Sequence, residues 1–507
     1  MEDISLVTVV LMLPLVGVIP LLFVRSLTDQ TIRWLSLTVS LVTFGLSLLL
    51  LRNFDQGVAG LQMAQRWEWI STDGFKISYY VGVDGISIWL VLLTTFIMPI
   101  AILASFEPVK QRVRLYYLFL LLMEWAMIGV FVAQDLFLFY VFWEVTLIPM
   151  YFLIGIWGSE DRIYAAIKFF LYTMAGSLLM LLAILWLGVQ AGTFALPDIF
   201  AQINSGELNI GMNTERWLFL AFAIAFAVKV PMWPLHSWLP DAHVQAPTAG
   251  SVILAGIMLK MGTYGFVRFN LPLFPEASEY FAPLFAILAV IGIIYGAWVS
   301  YGQDNIKKLI AYSSISHLGF VMLGIFALNT TGIQGGILQM VNHGISTGGL
   351  FLMVGMLYER RHTRMMNAFG GIWRAMPLFS GLSLIIILSS MGLPGLNGFV
   401  GEFTILLGSA GSEVLSMWIT AFAALGIILA AIYMLYMFNT VFMGELDKEE
   451  NKRLSDLGWQ EIWSLIPIIV MVFAIGLQAG YFFDYMDSSV RELAEYLGDT
   501  ITASAGR

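Results

Sequence analysis

Six ionisable side chains lie inside long apolar stretches of this sequence, and their chemical types suit proton transfer. They are Glu144, Lys229, Lys260, His317, His343 and Glu402. Carboxylate, amine and imidazole groups can each take up and release a proton, and their proton affinity responds to burial and to neighbouring charges. Counting about 1.5 Å per residue along a helix places all six at a similar depth. This placement predicts a lateral row of proton carriers rather than a pore.

Isolated charges at these positions are costly, which indicates that they are partnered. A charged side chain at the centre of a membrane helix costs roughly 2.5–3.5 kcal/mol. We therefore expect Glu144 and Lys229 to form an ion pair. Separating that pair would favour release of the lysine proton.

Other interpretations of these residues remain open. His317 and His343 could be hydrogen-bonded packing residues, and Lys260 and Glu402 could belong to structural ion pairs. Four more side chains are auxiliary candidates for the relay: Glu124, Lys168, His236 and His243. Of these, Glu124 could instead bond a polar neighbour, Lys168 could extend to the membrane surface, and the two histidines could serve in capping or be solvated at the interface.

The elements that must position these groups are membrane helices. Of the 507 residues, 59% are apolar and 12% are charged, which indicates an all-α polytopic membrane protein. About fourteen apolar runs are long enough to cross a hydrocarbon core of about 30 Å. We predict helices near 4–24, 31–51, 83–105, 114–133, 135–157, 163–190, 216–242, 247–269, 281–301, 304–327, 332–358, 376–409, 413–443 and 460–483.

Two of the predicted helices carry breaks. Pro231 and Pro234 interrupt the seventh helix just after Lys229, and Pro394 with its neighbouring glycines interrupts the twelfth just before Glu402. Matched breaks indicate a transporter built from internal repeats. Because the breaks are five helices apart, helices 4–8 and 9–13 are the expected repeats, and an odd number of spans makes them inverted.

Charge and cysteine content limit the function further. Sixteen of the 25 Lys and Arg residues fall on one side when the N-terminus is placed outside, which predicts both termini on the periplasmic side. The net charge of −9 argues against nucleic-acid binding. With no cysteine and no glycine-rich nucleotide motif, we expect no metal site and no redox cofactor on this chain.

Several motifs resemble one family. The stretches FWEVTLIPMYFLIGIWG, KVPMWPLHSWLPDAHVQAPTAGS, DNIKKLIAYSSISHLGFV and LYERRHTRMMNAFGGIW resemble the antiporter-like subunit M family (chain 4 in mitochondria) of NADH:quinone oxidoreductase, respiratory complex I. The family's proton-path positions fall on the six residues above. The resemblance implies proton translocation driven by quinone reduction elsewhere, with NADH, FMN, iron–sulfur clusters and quinone on other subunits.

The resemblance also implies an organisation and partners. The expected regions are three N-terminal helices (1–110), a first repeat (111–270), a second, inverted repeat (271–445) and a C-terminal helix with its tail (446–507). Expected partners are the lipid bilayer, here a bacterial plasma membrane, and other membrane subunits, including sister antiporter-like subunits. The alternative is a subunit of a multisubunit cation/proton antiporter.

Overall fold

The computed structural model describes residues 4–72 and 74–505. The first part contains α1 (Leu6–Phe23), α2 (Asp29–Asn53), β1 (Gln62–Ser71), β2 (Lys76–Val83), α3 (Ile88–Ala104), α4 (Val113–Val132), α5 (Leu136–Trp157), α6 (Arg162–Ala191), α7 (Leu196–Ser205), α8 (Met212–Lys229) and α9 (Trp238–Gln245). Next, α10 (Thr248–Ile253), α11 (Leu259–Gly265) and α12 (Leu271–Leu273) join through π-helical turns into one helix, Thr248–Leu273.

The second part contains α13 (Pro275–Tyr301), α14 (Ile306–Ile325), α15 (Thr330–Arg361), α16 (Ile372–Ala375), α17 (Pro377–Ser390), α18 (Asn397–Ala410), α19 (Met417–Phe442), α20 (Glu449–Lys452), α21 (Trp459–Leu477) and α22 (Ala479–Ala505). Among the described residues, eleven helices are long and apolar enough to cross a membrane. The prediction of an all-α polytopic membrane protein is confirmed.

Side-chain caps fix where several of these helices begin. The hydroxyl of Thr28 accepts a hydrogen bond from Thr31 N, and Asp135 accepts from the amides of Phe137 and Leu138. Asn305 caps α14 in the same way. Each cap satisfies amides that have no partner within the first turn of a helix.

Two helices form the interior of the molecule. In Thr248–Leu273 and in α15 (Thr330–Arg361), the most apolar 18-residue window is 100% buried, whereas the same window in α19 is 33% buried. Other protein helices therefore surround these two on all sides, and α19 presents much of its surface to lipid. Side chains on the two interior helices are therefore shielded from both lipid and bulk water, which is where ionisable groups of membrane helices usually lie.

The structure confirms both predicted breaks. The seventh predicted helix is divided into α8 and α9, and the twelfth into α17 and α18. At the second break, Gly392 and Gly395 have φ of +79° and +90°, a left-handed backbone that favours glycine. The chain can therefore turn at that point without steric strain.

Three elements differ from the predicted helices. Residues 62–83 form an antiparallel hairpin of β1 and β2, so α3 begins at Ile88 rather than near 83. A short helix, α7, lies in a predicted loop. The last predicted helix ends at Leu477, and α22 follows it as a separate helix. The two chain ends, which we expect on the periplasmic side, lie outside the described residues.

Candidate functional site

The two interior helices bring Lys260 and His343 into direct contact. Lys260 Nζ lies 2.6 Å from His343 Nδ1 and also donates to the carbonyl oxygen of Ala255. Lys260 is fully buried and His343 is 3% exposed. Nδ1 of His343 must be unprotonated to accept from the lysine, so the proton on Nζ faces a basic atom that can receive it.

A second pair continues the row from the neighbouring helices. His317 of α14 places Nδ1 2.6 Å from Glu402 Oε1, and Glu402 belongs to α18, just after the second break. Both residues are buried. The contact is short enough for a strong charge-assisted hydrogen bond, in which the proton can lie on either partner.

Only one short gap separates the two pairs. The ring centroids of His317 and His343 are 5.9 Å apart, with the planes inclined at 54°. Nε2 of His343 is buried and has no hydrogen-bond partner among the described residues. One bridging water or a modest ring rotation would close this gap. Lys260, His343, His317 and Glu402 therefore form one row, in that order.

Three polar residues outside the six candidates hold the Glu402 end of this row. Gln339 Nε2 donates to Glu402 Oε1 at 3.1 Å, and Tyr433 OH lies 3.2 Å from His317 Nε2. Asn342 Nδ2 in turn reaches Gln339 Oε1 at 3.3 Å. The signal that could have found Gln339 is its position four residues before His343, on the same face of a helix.

The second break is stabilised by hydrogen bonds to the interior helix α15. Asn397, the first residue of α18, accepts from Ser389 Oγ at 2.5 Å and donates to Ser346 Oγ at 3.2 Å. Its carbonyl oxygen accepts from Asn342 Nδ2 at 2.8 Å. These bonds satisfy polar groups that the broken helix would otherwise leave exposed to hydrocarbon. They also fix the position of Glu402, about one and a half turns further along α18.

Glu144 and Lys229 do not form the ion pair that we expected. Lys229 Nζ is buried without a hydrogen-bond partner among the described residues, and so is Glu144 Oε1. The ammonium lies over the rings of Trp143 and Phe169, at 5.3 and 5.6 Å from the ring centroids. Aromatic faces attract a cation and so replace part of the lost pairing. Glu144 still acts on Lys229 through its charge.

The four auxiliary candidates have different environments. Lys168 forms an ion pair with Asp241 at 2.7 Å, rather than extending freely to the surface. Glu124 is fully buried and accepts a hydrogen bond from Ser40 Oγ at 3.0 Å. Ser40 is thus the polar neighbour that the sequence analysis offered as an alternative to a place in the relay. His236 Nε2 lies 3.3 Å from the hydroxyl of Tyr295.

His243 is more deeply placed than capping or interfacial solvation would require. It is fully buried, its ring stacks on Phe351 with centroids 4.5 Å apart, and neither ring nitrogen has a hydrogen-bond partner among the described residues. The charges of Lys307 and Lys260 both act on it. A fully buried ring without a hydrogen-bond partner neither caps a helix nor meets interfacial water.

Cations clamp the end of the broken seventh helix. Lys307 Nζ donates to the carbonyl oxygen of Ala246 at 2.5 Å, and Arg364 donates to that of Val244 at 2.8 Å. Burial lowers the pKa of Arg364, which remains a cation because its ordinary value is far above neutral. Cations are favoured at the C-terminus of a helix, so this clamp holds α9 and the buried His243 in place.

No group of three His, Asp or Glu side chains in the described part of the chain could hold a metal ion. The row consists of ionisable side chains. Its four members come from four different helices, and each contact within it is a hydrogen bond or a ring contact between ionisable groups.

Two protein-family models match the chain. A model described as NADH:quinone oxidoreductase/Mrp antiporter, TM, matches residues 133–428. A second model, NADH-ubiquinone oxidoreductase chain 4, amino terminus, matches residues 9–133. Together these models extend over both breaks and all six candidate relay residues.

Relatives and solved structures agree with these models. The chain is 44% identical to NADH-quinone oxidoreductase subunit M of Rhodobacter capsulatus, over 99% of both chains. It is also 44% identical to NADH-ubiquinone oxidoreductase chain 4 of Arabidopsis thaliana, over 95% of this chain and 96% of that one. A chain of respiratory complex I from Thermus thermophilus with bound NADH has a TM-score of 0.87 and 33% identity, over 97% of this chain and 99% of that one.

The same fold occurs in a more distant complex. A chain of the membrane-bound sulfane sulfur reductase, an archaeal respiratory membrane complex, has a TM-score of 0.81 at 22% identity, over 92% of this chain and 75% of that one. That likeness concerns the fold alone. On the family models and the full-length relatives, the chain belongs to the family of subunit M and chain 4 of NADH-quinone oxidoreductase.

Proposed function

We propose that this chain is a proton-translocating membrane subunit of an NADH:quinone oxidoreductase, and that the row Lys260–His343–His317–Glu402 is part of its proton path. The observation that carries the proposal is the continuity of this buried row, in which only the 5.9 Å between the two imidazole rings separates neighbouring pairs. A structural ion pair needs only two partners, whereas four titratable groups that lie next to one another in space suit a relay.

Each imidazole of the row can relay a proton because it has two nitrogens. His343 can accept from Lys260 at Nδ1 and release from Nε2, which has no hydrogen-bond partner among the described residues. His317 can then donate from Nδ1 to Glu402. Burial removes competing water, so a proton on one member favours the next member over solvent.

Glu144 and Lys229 form the first part of the path in this proposal. They are separated in the structure described here, and their approach would stabilise both charges. A change that drives them apart would favour proton release from Lys229 towards Lys260. His243 and the other three auxiliary residues are candidates for supplying protons. The fourth to eighth predicted membrane helices, in region 111–270, and the ninth to thirteenth, in region 271–445, would act as inverted repeats.

The driving chemistry lies elsewhere in this proposal. NADH, FMN, iron–sulfur clusters and quinone bind to other subunits, and sister antiporter-like subunits lie beside this chain in a bacterial plasma membrane. Both termini lie on the periplasmic side, because that orientation places most of the basic residues in the cytoplasm.

The test is proton pumping by membrane vesicles that contain the parent complex with Lys260→Met. Methionine keeps an unbranched apolar chain and loses the titratable amine. Pumping and quinone reductase turnover should both fall by at least about tenfold, because a positioned proton carrier typically contributes 10²–10⁴-fold. The matched control is Lys452→Met, which removes an exposed lysine paired with Glu449. Equal pumping by both variants, at matched assembly, would refute the proposed path.

A second candidate function is that of a subunit of a multisubunit cation/proton antiporter. The description of the matching family model, which includes the Mrp antiporter, favours keeping it. The two functions differ in what co-purifies with the tagged chain. Subunits with flavin and iron–sulfur absorption support the oxidoreductase, and a set of small membrane chains without such absorption supports the antiporter.

A further inference from the structure

Three cavities lie end to end along one side of α3. The first has a volume of about 580 Å³, the second about 370 Å³ and the third about 230 Å³. Leu103 lines both the first and the second, and Phe44 and Phe96 line both the second and the third. Because they share these residues, the three cavities adjoin one another and form a groove bounded chiefly by α2, α3, α15 and α21.

The groove changes from polar to apolar along its length. The first cavity lies at the basic side of the molecule and is lined by charged groups, including Lys110 and Glu359. The second and third cavities are lined almost entirely by apolar and aromatic side chains. Trp34, Trp459 and Trp463 line the second cavity, next to the polar end. Tryptophan is enriched at the boundary between headgroups and acyl chains.

The length of the groove suits an acyl chain. Along α3 the apolar part runs from Leu103 to Trp89, which is about 21 Å at 1.5 Å per residue. One leaflet contributes about half of a hydrocarbon core of about 30 Å thick. The apolar part is therefore long enough for the chains of one lipid from the leaflet on the basic side.

The charges at the polar end identify the headgroup. Arg360 is neutralised by Glu461 through contacts of 2.5 and 2.7 Å, and Asp456 accepts from the backbone amides of Leu378 and Phe379. Besides Asp456, whose carboxylate is bonded only to backbone amides, three charged residues of the cavity have no ion-pair partner among the described residues: Glu107, Glu359 and Lys110. Two carboxylates and one amine complement a headgroup that carries both an ammonium and a phosphate.

We propose that this groove binds one phospholipid with a zwitterionic amine headgroup. The ammonium contacts Glu107 and Glu359, the phosphate contacts Lys110, and the acyl chains follow α3 past Leu103 towards Trp89. An anionic phospholipid without an amine would place its charge beside the carboxylates of Glu107 and Glu359 and leave them without an ammonium partner, which disfavours it. The proposal does not depend on the proton path.

Photo-crosslinking in native membranes tests this site in the parent complex. The probes are phosphatidylethanolamine and phosphatidylglycerol that carry a diazirine on one acyl chain, and crosslinked peptides are mapped by mass spectrometry. The ethanolamine probe should label peptides spanning 89–103 and 459–471. A tenfold excess of unlabelled phosphatidylethanolamine should lower this labelling at least fivefold, and the same excess of phosphatidylglycerol should not.

The headgroup contacts are tested by Glu107→Gln combined with Glu359→Gln. Both positions are exposed, so the double variant should assemble normally, and labelling in the groove should fall at least fivefold. The control is Glu207→Gln combined with Glu413→Gln, two exposed acids outside the groove. Labelling near Phe422, which is 53% exposed on α19, reports ordinary surrounding lipid.

Three results would overturn the proposal. The first is equal labelling of the groove by both probes. The second is competition no stronger than that near Phe422, which would identify the occupant as ordinary surrounding lipid. The third is absence of labelling in the groove while Phe422 is labelled, which would mean that a neighbouring subunit covers it.

Discussion

Glu402 has the most completely defined surroundings of any acid in the proposed path. His317 Nδ1 and Gln339 Nε2 both contact its Oε1, at 2.6 and 3.1 Å, and the side chain is 2% exposed. A carboxylate with two such donors is held in one position. Its role therefore depends on whether it must titrate or only accept hydrogen bonds, and substitutions can separate these two demands.

We predict that Glu402→Lys retains more proton pumping than Glu402→Ala, and that Glu402→Gln fails about as badly as alanine. Lysine remains titratable and can donate to His317 Nδ1, as Lys260 already does to His343 Nδ1 at 2.6 Å. Glutamine preserves the shape and an acceptor oxygen but cannot take up a proton. The measurement is pumping by membrane vesicles at matched assembly levels.

The control for these variants is Glu413→Gln, at an exposed position beyond the end of α18. It should pump like the unmodified protein. If Glu402→Gln also does so, Glu402 is a packing or hydrogen-bonding residue, and the exit of the path lies elsewhere.

Glu144 and Lys229 provide a second prediction for individual residues. Glu144→Ala and Lys229→Ala should each lower both pumping and quinone reductase turnover by about tenfold or more, because tight coupling stops electron flow when a carrier is missing. Glu144→Asp should be milder, since it keeps the charge that acts on Lys229. The two activities are measured in the same vesicles. Near-normal values for both alanine variants would exclude a switch between these residues.

At the level of helices, the contact between α15 and α18 sets the geometry of the Glu402 end. Gly401 lies against α15 so closely that an added Cβ would be 2.2 Å from Gln339 Oε1 and 2.8 Å from Asn342 Nδ2. Both of these amides belong to the hydrogen-bond chain that ends on Glu402. The absence of a side chain at position 401 therefore determines how close the acid comes to His317.

We predict that Gly401→Ala lowers proton pumping several-fold although Glu402 itself is unchanged. The new methyl group must push α18 away from α15 or displace Gln339, and such overpacking typically costs 1–3 kcal/mol. The measurement is the ratio of pumping to assembled complex. Gly381→Ala is the control, because nothing lies within 4 Å of an added Cβ there. Equal pumping ratios for the two variants would show that this contact does not position the path.

The sequence predicted the positions of the helices better than the side-chain contacts between them. Long apolar runs and prolines predicted a polytopic helical protein and located both breaks, because these follow from local composition. The hairpin Gln62–Val83 and the short helix α7 were missed, since neither is long and apolar. The pairing of Glu144 with Lys229 was wrong because it depends on side-chain distances between helices. The contacts of Lys260 with His343 and of His317 with Glu402 depend on the same packing and could not be assigned from one sequence.

In the whole molecule, the distribution of charge and the interior helices have separate roles: one concerns orientation and the other the proposed proton path. In the proposed topology the basic residues concentrated on one side set the orientation, and the two interior helices Thr248–Leu273 and α15 carry Lys260 and His343 of the proposed path. Orientation decides the direction in which a proton leaves. A reversed insertion would keep every contact of the row and exchange its entrance and exit.

The absence of cysteine makes the proposed orientation directly testable, because any introduced cysteine is the only thiol on this chain. Glu207 and Asp447 are exposed acids on loops that the proposed topology places on opposite sides, Glu207 outside and Asp447 in the cytoplasm. We predict that a membrane-impermeant maleimide added to intact cells labels Glu207→Cys strongly and leaves Asp447→Cys unlabelled. Lysis before labelling should make both variants reactive, which controls for local accessibility. The opposite pattern in intact cells would reverse the orientation, and Glu402 would then face the entrance of the path instead of its exit.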